Sequence, residues 1–400
     1  MSRSDRKGAA LGAVLRRVHL ASPDDLPQLA RLAGRELGAD DTVLYLVDYD
    51  QVTLIPLGAE ESGERSLQIE GTVAGRAFGE ITVLSLRRRE RLTIWAPLLD
   101  GTDRLGVLEY RYPAGSKVDD AILEGCQWVA ALIAELVITR SSYGDVIEKT
   151  RRRKPMSLSA ELQWSQLPPL TFVTPRAAIA GVLAPTDDVA GDSFDYAVNG
   201  ATAHVAVVDA MGHGLDATLM SAIAIGQLRN SRRRDSSLLD TVMAMDRAIA
   251  ERFGPDKFVT AIVGDLDTRT GVWTWANCGH PPSLILRGGR VVKTLDMPVS
   301  PPLGLLSGNP DVSTERLEPG DRLLLYTDGV TEARNAAGQF FGVDRLVDFV
   351  TKHSAAGRPA AETLRRLNLA ILRHQAGVLQ DDATTVLIEW LSDEPLRTRP

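Results

Sequence analysis

Residues 203–214, A-H-V-A-V-V-D-A-M-G-H-G, constrain the fold of this 400-residue chain more than any other stretch. The apolar run from Val205 to Val208 reads as a buried strand that ends in a carboxylate, Asp209, just before a turn through Gly212 and Gly214. Such a strand holds an oxygen ligand on a rigid support, and the glycines let backbone come close to whatever is held there. The arrangement recurs three times. Asp192 and Asp195 lie in V-A-G-D-S-F-D, Asp328 follows L-L-L-Y-T, and Asp381 and Asp382 open D-D-A-T-T-V-L-I. No basic residue stands directly beside these carboxylates, so if they converge they need a cation to stay ionised together. Hard oxygen ligands without nearby cysteine select Mg²⁺ or Mn²⁺. Two such ions, roughly 3.5–4 Å apart, can lower the pKa of a shared water and clamp a phosphoryl group for in-line attack.

Other chemistries find less support. A net charge of −7 argues against nucleic acid as a partner, and the arginine clusters at 87–89 and 151–153 read as solvated faces. Cys126 and Cys278 have neither disulfide-framework nor metal-ligand spacing, which suits a reducing cytoplasm. Arg287 is too far from Cys278 to build the loop of a cysteine phosphatase, and neither a P-loop motif nor a G-x-S-x-G elbow occurs. No apolar run approaches the roughly 20 residues of a membrane span, so no membrane is expected. The first 19 residues are expected to form a frayed or amphipathic helical tail.

In chain order, residues 24–37 have helical spacing behind Ser22 as a cap, and 42–48 and 51–57 alternate like strands. Residues 71–78 look helical, and 91–99 and 106–112 return to strand. The helical run 119–150 carries Ile122, Cys126, Val129, Ile133 and Leu136 on one seam, which either covers the sheet or pairs with a second copy across a dimer. A further helix over 157–167 stops at Pro168–Pro169. Beyond it, strands are expected at 171–183, 194–198, 203–209, 259–265, 272–278, 282–287, 322–326 and 384–390, with helices near 216–230, 237–253, 343–353 and 359–374. Runs of strands with helices in pairs predict an α+β layered sandwich.

Two resemblances sharpen this reading. G-T-V-A-G-R-A-F (71–78) and A-P-L-L-D-G-T-D-R-L-G-V-L-E-Y (96–110) resemble a GAF domain, which implies a small-ligand or partner sensor over 20–140. V-A-G-D-S-F-D, D-A-M-G-H-G, F-V-T-A (258–261), A-N-C-G-H-P-P (276–282), P-L-G (302–304), L-E-P-G-D (317–321), Y-T-D-G-V-T-E-A (326–333) and D-D-A-T (381–384) resemble, in order, the PPM (PP2C-like) phosphatase domain of the SpoIIE/RsbU type from bacterial partner-switching regulators. The implied organisation is a tail (1–19), a GAF-like α/β domain (20–140), a helical linker (141–167), an α-β-β-α phosphatase domain (168–391) and a tail (392–400). The implied activity is protein serine/threonine phosphatase with two Mn²⁺ or Mg²⁺ ions. Asp209 would bridge both, the Ala210 carbonyl and Asp192 would serve the second, and Asp328 and Asp381 would complete the first. Asp195 and Asp382 would stand just behind, with the choice between Asp381 and Asp382 left open. The family usually has glycine where Ala190 stands and an aromatic where Ser193 stands, a change expected at the pocket rim. His213 and His280 are expected to be structural, and with no clear phosphate-binding arginine the substrate phosphate would rest on the metals. The implied partner is a phosphorylated STAS-type anti-sigma-factor antagonist, with a homodimer as the working assembly. A scaffold of the same fold that binds without turnover, and a two-metal nucleotidyl cyclase, are the competing readings.

Overall fold

The computed structural model describes residues 3–58, 63–184, 191–296, 299–377 and 381–391 and divides near Pro155 into two compact units. In the first, helices α1 (Arg3–Leu15) and α2 (Leu26–Glu36) precede strands β1 (Asp41–Val47), β2 (Thr53–Pro56) and β3 (Leu67–Gln68). Helix α3 (Val73–Glu80), strands β4 (Leu84–Arg88), β5 (Arg91–Asp100) and β6 (Asp103–Tyr112), and helices α4 (Asp120–Ser141) and α5 (Val146–Arg151) follow. The strands form one sheet in the order β3-β2-β1-β6-β5-β4. Alternation along β1 covers both faces: Leu44 and Leu46 meet α1, α2 and α4, while Val43, Tyr45 and Val47 join Phe78 of α3. Gly75 fits G-T-V-A-G-R-A-F because a Cβ there would lie 1.7 Å from the Ile69 carbonyl oxygen.

Three expectations change here, and one open choice is settled. The N-terminal helix is no frayed tail, since Ala10 and Val14 are buried in the core. The seam of α4 covers the sheet, with Cys126, Val129, Ile133 and Leu136 all buried there. That helix is long and apolar enough to cross a membrane by length and composition, contrary to the reading of the sequence, yet its buried residues are spent on this core. The stretch 141–167, expected as a separate linker, is divided between α5 in the first unit and α6 (Leu158–Gln166) in the second.

The second unit contains α6, strands β7 (Thr171–Val173), β8 (Ala177–Ala184), β9 (Asp192–Asn199) and β10 (Thr202–Ala210), then helices α7 (Leu215–Arg232) and α8 (Leu238–Phe253). Strands β11 (Val259–Asp267), β12 (Val272–Cys278), β13 (Leu284–Arg287), β14 (Arg290–Thr294), β15 (Val312–Arg316) and β16 (Arg322–Tyr326) come next. The short α9 (Asp328–Thr331), α10 (Gly342–Ala355), α11 (Ala360–His374) and β17 (Ala383–Trp390) complete it. Two antiparallel sheets form, ordered β15-β12-β11-β10-β9 and β14-β13-β16-β17-β8-β7. Phe194, Val205, Val207, Trp273, Leu323, Leu325 and Val386 fill the space between them. Ala206, Val208 and Ala210 turn outward to α7 and α8, and Leu324 and Leu387 turn outward to α10 and α11. This is the α-β-β-α sandwich expected, and double-sided burial explains why its strands read as continuous apolar runs rather than alternating ones. The single strand expected over 171–183 is instead the hairpin β7–β8, interrupted by Pro175, which has no N–H for a ladder.

Candidate metal centre

Asp209 occupies the last turn-facing position of β10, with Asp192 of β9 directly opposite and Thr260 of β11 on its other side. Asp192, Phe194 and Tyr196 share one parity, as do Val205, Val207 and Asp209, so both carboxylates lie at the end of the layer between the sheets. From the other sheet, β16 runs into Thr327 and Asp328, and Asp381 and Asp382 lead into β17. The Thr327 amide donates to the Thr384 carbonyl at 3.0 Å, and the Thr384 amide donates back to Thr327 Oγ1 at 3.0 Å. Thr327 Oγ1 in turn donates to Asp192 Oδ2 at 2.7 Å, joining the two sheets at the site. Gly329 is required beside Asp328, since a Cβ there would fall 1.9 Å from the Asp382 carbonyl oxygen.

The carboxylates form two tiers. Asp192 and Asp382 are buried, Asp209 is half-buried, and Asp328 and Asp381 are exposed at the rim. Burial raises the Asp192 carboxyl well above its usual range, and the neighbouring charges of Asp209 and Asp382 push in the same direction. Burial, then the charges of Asp328, Asp381 and Asp382, lift Asp209 to about 7. Asp381 is raised by burial and by Asp328, against the opposing influence of the Asp382 amide and His213. The five aspartates therefore share one electrostatic field, and among the described residues no arginine or lysine is paired with Asp209, Asp328 or Asp381. The donor set fits Mg²⁺ or Mn²⁺ in kind: all oxygen, with excess negative charge. Among the described residues no group of three His, Cys, Asp or Glu side chains stands at the mutual spacing that holds a metal ion.

Several expectations are corrected. Asp195 does not stand behind the cluster. Three residues from Asp192, it has opposite parity and faces α7, where Arg229 Nε and Nη2 donate to Oδ1 at 3.0 and 2.7 Å and Arg232 Nη1 donates to Oδ2 at 2.8 Å. Ser193 shares that parity and is buried, not at a pocket rim. Ala190 lies outside the described residues. His280 is structural as expected, its amide accepted by Asn277 Oδ1 at 2.8 Å and its Nδ1 sharing a hydrogen bond with Thr260 Oγ1 at 2.9 Å. Burial lowers it to about 4, so it stays neutral. His213 is different: it is exposed on the glycine turn, and its charge bears on Asp381. Two contributors were not anticipated. Thr327 was legible as the hydroxyl preceding a strand-end Asp, whereas Gln163 of α6, whose Nε2 donates to the Asp192 carbonyl at 2.7 Å and to Asp382 Oδ2 at 2.9 Å, left no signal beyond helical spacing.

Residues 199–391, which include Asp209, Asp328, Asp381 and Asp382, match the family described as Stage II sporulation protein E. The matched stretch lies within the second unit and takes in strands of both of its sheets. The chain is similar to the phosphoserine phosphatase RsbU of Bacillus subtilis, 24% identical over 215 residues, covering 52% of this chain and 62% of RsbU. It is also similar to protein IcfG of a Synechocystis species, 30% identical over 131 residues, covering 32% of this chain and 20% of IcfG. Among solved structures, the RsbU and RsbW domains of a Mycobacterium tuberculosis protein align over 56% of this chain and 64% of that one, at 27% identity and a TM-score of 0.49. The chain thus spans less than two thirds of the length of each of these relatives.

The carboxylates of the second unit make a pH-dependent prediction. A folded Asp209 at about 7, against 3.8 when unperturbed, binds a proton that the unfolded chain does not across that interval. Its contribution to stability therefore falls as pH rises from about 4 to 7. His280 works oppositely, since its folded value of about 4 lies below the ordinary 6.5 and its contribution falls as pH drops. The metal increment isolates the carboxylates. Calorimetry with and without 1 mM Mn²⁺ is expected to show a larger Tm gain at pH 8 than at pH 5.5, and equal gains at both would contradict the site.

Proposed function

We propose that the chain is a metal-dependent protein serine/threonine phosphatase whose SpoIIE domain hydrolyses a phosphoserine or phosphothreonine on a regulatory protein. The single observation that carries this reading is the electrostatic coupling of five aspartates, from strand ends scattered over some two hundred residues, in one negatively charged cluster. Asp209 would bridge two Mn²⁺ or Mg²⁺ ions, with the Ala210 carbonyl and Asp192 serving one and Asp328 and Asp381 the other. Bound there, the ions would supply an activated water and a clamp on the phosphoryl oxygens. Asp382 backs this set from the buried tier. Although the sequence suggests a structural His213, in this reading it would return a proton to the departing seryl oxygen, a role supported by its exposure and by its influence on Asp381. His280, buried and neutral, would not.

The substrate in this reading is a phosphorylated STAS-type anti-sigma-factor antagonist, as in partner switching, and RsbU, to which the chain is similar, carries the name phosphoserine phosphatase. The first unit, a sheet with helices on both faces, would act as a GAF-like sensor in a cytoplasmic homodimer.

The test is phosphate release from a phosphoserine peptide by the full chain. Hydrolysis is expected with Mn²⁺ or Mg²⁺ and none with EDTA. Activity undiminished by chelation would overturn the metal assignment, and binding of the phosphoprotein without turnover in Mn²⁺ would favour a non-catalytic scaffold.

A further inference from the structure

Behind the aspartates, the second unit is closed by a helix that precedes its first strand. Helix α6 starts at a capping serine, Ser157, whose hydroxyl accepts the Ala160 amide, and its C-terminal carbonyl at Gln166 accepts Arg229 Nη2 of α7 at 2.5 Å. Between these anchors Gln163 points inward and is buried. Its amide nitrogen has two hydrogens and uses both: one on the Asp192 carbonyl at 2.7 Å, the other on Asp382 Oδ2 at 2.9 Å. Those acceptors belong to different sheets, on β9 and just before β17, and stand 29 and 219 residues from Gln163 in the chain.

We propose that Gln163 is a positioning residue that sets the spacing of Asp192 against Asp382 across the two sheets, and so governs the affinity of the site for its divalent ions. This rests on the metal-dependent reading above. The amide orientation is forced, because turning it over would aim Oε1 at a carbonyl and a carboxylate, both acceptors. In the orientation observed, Oε1 is buried without a hydrogen-bond partner. That cost would vanish with an apolar side chain of the same size, so packing alone does not explain a glutamine here. Charge supplies the reason. An arginine or lysine in this place would orient Asp382 equally well but would also cancel negative charge that the site needs to attract cations. A neutral two-hydrogen donor orients the carboxylate and leaves the charge in place.

The experiment measures Mn²⁺ dissociation constants of the full chain by isothermal titration calorimetry, alongside kcat and KM for a phosphoserine peptide as Mn²⁺ is varied. Gln163→Met keeps the buried volume and removes both donors, and Gln163→Ala removes volume as well. Gln166→Ala is the control, since among the described residues its side-chain amide reaches only the Leu162 carbonyl of its own helix, at 3.0 Å. Gln163→Met is expected to raise the Mn²⁺ Kd about tenfold or more, with peptide KM and metal-free Tm close to wild type and turnover recovering as Mn²⁺ is raised. Gln166→Ala is expected to stay within about twofold of wild type. A wild-type Kd in Gln163→Met, beside a measurable wild-type value, overturns the role of Gln163 alone. Failure of the wild-type chain to take up Mn²⁺ overturns this inference and the proposed function together.

Discussion

Replacing Asp328 by alanine is expected to lower phosphatase turnover by roughly 10²–10³-fold or more, the scale of losing a group that stabilises developing charge directly. The same change should leave the metal-free protein at least as stable as wild type. Asp328 is exposed at the rim, and its charge adds to the burial that lifts Asp209 to about 7, so removing it relieves repulsion. Its place in the first turn of α9 favours helix formation slightly and works the other way, by about 0.3–1 kcal/mol. The measurements are peptide turnover across a Mn²⁺ titration and metal-free Tm by calorimetry. A folded Asp328→Ala chain with undiminished turnover would remove this residue from the catalytic set. A large fall in metal-free Tm would show that Asp328 holds the fold rather than a ligand.

The second large effect lies outside the metal centre. Asp195 is 1% exposed and receives three hydrogen bonds from Arg229 and Arg232 of α7. Asp195→Ala leaves two arginines beside an apolar hole, and breaking a buried pair from one side costs about 3–5 kcal/mol. Arg229 and Arg232 retain some solvent, 28% and 12% of their side chains, which places the effect nearer the lower end. A fall in Tm of about 10 °C is expected by calorimetry, at 2–4 °C for each kcal/mol in a domain of this size. A change of under about 2 °C would show that the pair contributes nothing net. The metal affinity of whatever fraction remains folded should be near wild type, because Asp195 faces the helices and not the aspartate pocket.

Strand ends were the most legible part of the chain. The bounds expected for β12 and β16 coincide with those observed, because both are short, mostly buried runs with clear punctuation, Gly271 and Gly279 around β12 and Asp321 and Thr327 around β16. The α7–α8 and α10–α11 pairs were equally visible, as long periodic segments usually are. Strands β14 and β15 were missed because most of their side chains are exposed and carry no apolar pattern. Within the site, parity along V-A-G-D-S-F-D already separates Asp192 from Asp195, since a three-residue step in a strand reverses the face. Motif adjacency obscured that geometry. Gln163 was beyond reach for a different reason: its acceptors are a backbone carbonyl and a carboxylate 219 residues away, and no local pattern encodes such a meeting.

The position of β17 has a consequence for biosynthesis. It is the final strand described in the domain, yet it sits in the middle of its sheet, between β16 and β8, and the residues just before it bring Asp381 and Asp382. While the ribosome is still making residues before about 380, β16 and β8 have no neighbour to join them, and the aspartate pocket is missing one wall. Under the proposed function, a chain terminated before Asp381 is expected to release no phosphate, because it lacks both the central strand and two of the five aspartates.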